Sequence, residues 1–206
     1  MRPVVVAGAG KLAALLLDAM DGDERWRPVA CLDEEKAGST LLGVPVVHPR
    51  DYDPRDCRQA LMAIGEAAMR RRFLERLAGL DLDWLTYQDR RSHVSRHSQI
   101  GEGVLVFPFA SVGPLSFVGR FSYLSAYACV GGATVVGEHT SLLPRALAGS
   151  TCRIGSDCSL GLNSTCLDGA VVGDRVTVAP HTLVRQDVPS GALIAGNPAR
   201  TMTARP

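Results

Sequence analysis

From Val94 onward the chain repeats every six residues. Stepping by six from Val94 through Ile100, Val106, Val112 and so on to Val178 and Val184 meets sixteen positions, and all are apolar. Four residues after each of the first fifteen stands a small or β-branched residue, from Ser98 and Val104 to Val176 and Thr182. Glycine directly follows the apolar position at 101, 113, 119, 131, 137, 149, 155, 161 and 173. Neither a helix, with period 3.6, nor an alternating strand, with period 2, produces this spacing. A chain that bends every six residues does. Three hexads make an eighteen-residue triangular coil, and stacked coils pair like parallel strands ~4.8 Å apart, giving a prism of roughly 25 Å. The expected arrangement has the apolar residue pointing in at each corner, the small residue filling the interior, and glycine supplying the positive φ of the turn. Such a prism has flat faces and no interior pocket. A ligand must then lie on a face or between copies, and a closed three-fold assembly would build three equivalent clefts.

The first 90 residues alternate differently. Val4–Ala7 is a buried-type strand, Gly8 and Gly10 mark a turn, and Leu12, Leu15, Leu16 and Ala19 recur at helical spacing. Further strands are expected over PVACLD, ending at Asp33, over Val44–Val47, Ala60–Ile64 and Trp84–Thr86, with a helix over Glu66–Ala78. Gly8-x-Gly10-x-x-Ala13 matches the fingerprint in which backbone N–H groups at a helix start receive a phosphate. Asp33 is placed to take a ribose hydroxyl. Ninety residues do not hold a full two-halved dinucleotide fold, so the reading is a half-Rossmann α/β unit over 1–90, suited to a nucleotide or nucleotide-sugar. An all-β parallel β-helix with a C-terminal tail follows over 91–206. A purely structural α/β cap is the alternative for the first unit.

Net charge is +1 with acids and bases interspersed, which excludes a phosphate-tracking nucleic-acid binder. The run Arg70–Arg72 reads as a solvated helix face. The six cysteines form no CxxC pair and have no metal spacing, so reduced, buried thiols and no metal are expected. With no signal-peptide pattern and no apolar run of membrane length, the expectation is a soluble cytoplasmic protein without membrane contact.

The hexads, together with the tail Ala195-Gly196-Asn197-Pro198-Ala199-Arg200, resemble the left-handed β-helix acyltransferases. The preceding α/β unit narrows the resemblance to the sugar acetyltransferases of the sialic-acid O-acetyltransferase and bacillosamine/perosamine N-acetyltransferase type. That resemblance implies a homotrimer, with a nucleotide-sugar held by Gly8, Gly10 and Asp33, and with Ile64 and Gly65 beside it. It implies acetyl-CoA, or another acyl-CoA, along the cleft between prisms. The matching positions are Ser150, Leu162, Ala179 and Pro180, with Arg185 near the charged end.

The acid–base features depart from the pattern. Where the resemblance calls for Glu-His-Asp after Val130, the chain has Gly131, Gly132 and Ala133, so the usual base position is Gly132. The glycine turn reads Gly8-Ala9-Gly10-Lys11-Leu12 in place of GAGGH, and Ser125 stands where Asn is common. His139, expected to point outward, is the nearest replacement base, with Glu138, Tyr127 and Cys129 behind it. His97, His139 and His181 are 42 residues apart and so belong to three different sides of the prism. A placed base is worth about 3–5 kcal/mol, against about 7–11 for holding both reactants together. Two readings follow: an acyltransferase acting on a nucleotide-linked amino sugar, or a degenerate relative that binds without transferring. Arg145, Arg153 and Arg175 are left between recognising CoA phosphates and solubilising the faces.

Overall fold

The computed structural model describes residues 1–202 and divides into two compact units, Met1–Tyr87 and the chain from Gln88 onward. The last four residues of the expected tail lie outside the described residues.

The first unit comprises β1 (Arg2–Ala7), α1 (Lys11–Met20), β2 (Trp26–Leu32), β3 (Thr40–Leu41), β4 (Val44–Val47), β5 (Gln59–Met62), α2 (Ala67–Leu77) and β6 (Asp83–Trp84). The sheet order is β3-β4-β2-β1-β5-β6, parallel throughout except for the β3–β4 hairpin. β1 lies at the centre of the sheet, and Val4 to Ala7 are fully buried. A strand covered on both faces reads as an unbroken apolar run, which is what the sequence carries there. Six strands fit in this short unit because β3 and β6 are two residues long and only two α-helices join the strands. The strands expected at 60–64 and 84–86 lie at 59–62 and 83–84, and β3 is too short to show a period in the sequence.

One expectation fails here. Arg70 is not on a solvated face: it is 1% exposed, on the buried stripe of α2 with Phe73 and Leu77. Its guanidinium donates from Nε to the Ile64 carbonyl and from Nη2 to the Gly65 carbonyl, both at 2.8 Å. A planar fork of donors can hold two carbonyls at once.

The second unit is the prism. Its faces are sheets of eight, six and five strands, parallel except for the final pair, Leu193–Ala195 with Arg200–Thr201. Pairing is offset by eighteen residues, as in the column Val94, Val112, Val130, Ala148, Cys166 and Val184. The repeat positions from Val106 to Val184 are buried, as are the small residues from Val104 to Thr182. The coil continues past the last hexad. Val188 bridges to Val172, and Leu193–Ala195 pairs with Thr177–Val178 before turning back on Arg200–Thr201.

The geometry corrects two details. The inward apolar residue is not at the corner but closes each two-residue strand, as in Cys129–Val130, and the turn follows two residues later. Nor does the glycine after it supply a positive φ. The left-handed residue stands three after the apolar position, from Gly103 to His181, and is usually not glycine: Phe109, Leu115, Phe121, Tyr127, Ala133 and His139 all hold φ between 54° and 62°. The glycine serves coil-to-coil packing. A Cβ at Gly131 would lie 2.6 Å from Gly149 C and Ser150 N, and one at Gly155 would lie 2.6 Å from Gly173 C. No heavy atom fits there while neighbouring coils keep strand spacing.

The small residues also do more than fill space. Ser116 Oγ donates to the Gly131 carbonyl and accepts from the Thr134 N–H. Thr134 Oγ1 donates to the Gly149 carbonyl at 2.6 Å and accepts from the Cys152 N–H at 3.2 Å. A second ladder runs through Ser122, Thr140 and Cys158. These hydroxyls satisfy turn backbone groups that face the dry interior. Among the described residues, no helix is long and apolar enough to cross a membrane.

Candidate active site

In the first unit the expected residues converge. Gly8 ends β1 with φ +108, and a side chain there would meet Ile64 Cγ1 at 3.0 Å and the Ala63 carbonyl oxygen at 3.1 Å. Gly8 is therefore required twice, by its φ and by the loop packed against it. Gly10 is the N-cap of α1 and contributes no side-chain cap, so no side chain of its own occupies the start of the helix. Asp33 follows β2. Its Oδ2 accepts the Ala9 N–H at 3.0 Å, and its Oδ1 accepts the Glu35 and Lys36 N–H groups. The carboxylate thus braces the glycine turn, and Oδ2 retains a second lone pair for a ligand.

Sequence reasoning missed three groups around this turn. Lys36 Nζ donates to the Ala9 carbonyl at 2.8 Å, so the Ala9 peptide is clamped at both ends with a cation beside it. Arg70 fixes the Ile64–Gly65 loop. Glu34 pairs with Arg76 at the edge of a 620 Å³ hollow that is also lined by Pro49, Arg50, Gly79 and Leu80. The pattern at Glu34, Lys36 and Arg76 looks like ordinary surface charge, and no spacing rule singles these residues out. A 650 Å³ hollow at the other end of the sheet, around Trp26, Leu17 and Val44, contains none of the expected residues.

In the prism, Gly131 and Gly132 answer to different causes. Gly131 belongs to the column of glycines that packing demands. Gly132 does not: its φ is ordinary, and a Cβ there would have Pro114 O at 3.5 Å, Pro114 Cδ at 3.8 Å and Pro114 Cγ at 3.9 Å, which is normal contact. A side chain fits at Gly132 and none is present.

His139 is not on an open face. It is 3% exposed, at a left-handed corner, with its ring stacked on Phe121 at 5.4 Å. Burial follows from that corner packing, which hexad counting does not reveal. Glu138 pairs with Arg120 at 3.1 Å. Cys129 is half-buried on a face, whereas Cys152, Cys158 and Cys166 are buried and burial raises their thiol pKa, to about 12 for Cys166. Tyr127 stacks on Phe109 at 4.9 Å, and this exposed pair lies between the guanidinium groups of Arg91 and Arg145. Arg145 therefore has a local aromatic partner. Among the described residues no three His, Cys, Asp or Glu side chains are grouped to hold a metal ion.

The residues matched to acyl-CoA fall on two edges. Ser150 stands one coil beyond Gly132 on the same edge, its N–H donating to Asp168 Oδ1 at 2.8 Å. Leu162 and Pro180, one coil apart, form another edge with Ala179 beside them, and the strand Thr165–Cys166 separates the two edges. Arg185 lines a 310 Å³ hollow with Pro198, Ala199 and Arg200 of the tail.

This architecture is that of the left-handed β-helix, hexapeptide-repeat sugar acetyltransferases, and the resemblance read from the sequence holds over nearly the whole chain. No family model matches the chain. The chain is 25% identical over 182 residues to GDP-perosamine N-acetyltransferase of Escherichia coli O157:H7, covering 85% of this chain and 82% of that protein. It superimposes on the acetyltransferase domain of PglB from Neisseria gonorrhoeae, solved with acetyl coenzyme A, with a TM-score of 0.87 and 26% identity over 98% of this chain and 99% of that one. It shares the fold of a histidine-to-asparagine variant of perosamine N-acetyltransferase from Caulobacter crescentus, solved with CoA and GDP-perosamine (TM-score 0.91, 22% identity, 98% of each chain).

Proposed function

We propose that this chain transfers an acyl group from acyl-CoA, acetyl-CoA in the first instance, to the amine of a nucleotide-linked sugar, working as a homotrimer. The observation that carries this is the end-to-end match to a domain that binds acetyl coenzyme A. The glycine turn braced by Asp33 and Lys36 is consistent with it. The nucleotide's phosphates sit at the start of α1, and its base lies toward Glu34 and Arg76. The acyl-CoA positions occupy two separate edges of one convex prism, and side-by-side prisms would bring such edges together, which supports the trimer. In the reaction the sugar nitrogen attacks the thioester carbon. A C–N bond forms, the C–S bond breaks, and the CoA thiolate takes up the proton the nitrogen loses.

Without a base at Gly132 the rate rests on positioning, and a neutral amine is the acceptor such a site handles best. The burial of His139 weighs against its being a relocated base. The second reading, binding without transfer, is favoured by one specific observation: neither packing nor a positive φ requires glycine at Gly132, so the missing side chain is not a demand of the coil.

The deciding experiment is calorimetric binding of acetyl-CoA and of UDP- and GDP-linked sugars, followed by CoA release with amino-sugar acceptors. Binding of both ligands with acceptor-dependent CoA release carries the proposal; nucleotide binding without CoA binding rejects it. Gly132→His raising turnover by tenfold or more would mean that the base is missing rather than moved. His139→Gln that folds but loses turnover would return His139 to the mechanism.

A further inference from the structure

We infer that the corner at Gly132 is an apolar subsite for an acyl chain longer than acetyl. The inference rests on the acyl-transfer reading and names its donor class. A base acting on the attacking amine must reach a proton next to the thioester carbon, so the position such a side chain would occupy lies beside the acyl group. At Gly132 that position is open, and the nearest surface is the pyrrolidine ring of Pro114, with Cδ and Cγ at 3.8 and 3.9 Å from a Cβ built there.

Apolar side chains flank the position on the preceding coil and the adjoining face, and Thr151, whose N–H donates to the Gly132 carbonyl, borders it on the next coil. Ala133 completes the turn, and its N–H is tied to the Pro114 carbonyl one coil away. Leu115, stacked eighteen residues before Ala133, holds φ +61 and is 76% exposed. The left-handed conformation is what the turns of the coil impose at this position, whereas an exposed leucine side chain is not something the coil requires. On the adjoining face Phe117 and Val135 pair in register, 40% and 38% exposed. The other two corners of the same coil carry Ala126-Tyr127 and Glu138-His139, so this is the corner of that coil with no large side chain. Ser150, one coil further on, supplies the polar rim. An acetyl group would leave this surface wet, whereas a chain of about four carbons would cover it.

Each buried methylene contributes about fourfold in affinity, so butyryl-CoA, with two more, is expected to bind roughly fifteenfold tighter than acetyl-CoA. The test is calorimetric titration of the full-length protein, and of the Gly132→His and Leu115→Ser variants, with CoA, acetyl-CoA, butyryl-CoA and hexanoyl-CoA. Both variants change surface positions, and their melting curves verify folding. The proposal stands if the butyryl preference of roughly fifteenfold drops toward one in both variants while free CoA binds each unchanged. It is overturned if acetyl-CoA binds the unmodified protein as tightly as butyryl-CoA, or if the preference survives in Gly132→His. Failure of free CoA and of every ester to bind would instead bring down the acyl-transfer reading itself.

Discussion

Replacing Gly131 by alanine and, separately, Gly132 by alanine makes a paired experiment on adjacent residues of one turn. At Gly131 the added methyl would lie 2.6 Å from two backbone atoms of the next coil and 2.8 Å from the Gly149 carbonyl oxygen. Backbone cannot rotate away as a side chain can, so neighbouring coils must separate. Overpacking of this kind costs about 1–3 kcal/mol. For a chain of this size that is a fall in melting temperature of roughly 3–10 °C. At Gly132 the methyl meets only ordinary contacts at 3.5–3.9 Å and φ is not positive. There the loss of unfolded-chain freedom dominates, stabilising by about 0.4–1 kcal/mol, or roughly 1–4 °C upward. Differential scanning calorimetry of both variants, with circular dichroism to confirm the fold, reads the two directions. Equal falls in both, or a larger fall for Gly132→Ala, would refute the assignment of Gly131 to packing and Gly132 to a vacated functional position.

Other outcomes follow from the same geometry. Thr134→Val keeps the volume but leaves the Gly149 carbonyl and the Cys152 N–H without their hydroxyl partner, so urea unfolding should show a loss of about 2–4 kcal/mol, while Ser156→Ala on the surface should lose far less. Arg70→Met frees the Ile64 and Gly65 carbonyls, and calorimetry should show nucleotide affinity falling at least tenfold with CoA affinity unchanged. Burial raises the Cys31 and Cys166 thiols from about 9 to about 11 and about 12. Their contribution is therefore complete below pH ~9 and is lost as pH rises toward those values, at about 1.4 kcal/mol per pH unit per thiol. Denaturant midpoints between pH 8 and 10.5 should fall accordingly, and Cys166→Ala should flatten the fall.

The prism was legible in the sequence because each coil repeats the same demand. One inward apolar residue and one small residue recur every six positions, and an interior with no alternative packing admits few exceptions. The α/β order was legible for a related reason, since β1 is buried on both faces and must be apolar throughout. Even the absence at Gly132 showed in the string of residues.

What the sequence did not reveal depends on distance between coils or between loops. Which residue of a turn takes the left-handed conformation, and why glycine recurs beside it, follows from backbone of the next coil lying 2.5–3.0 Å from an added methyl. The burial of His139 and Arg70 follows from neighbours far along the chain or around the helix, which charge and spacing do not encode. The Asp33–Ala9–Lys36 clamp likewise joins residues 24 and 27 positions apart. Periodicity records what each residue must avoid, namely water or the interior. Only the folded chain decides which partner each polar group finds, because that choice is made through space by backbone positions the repeat does not specify.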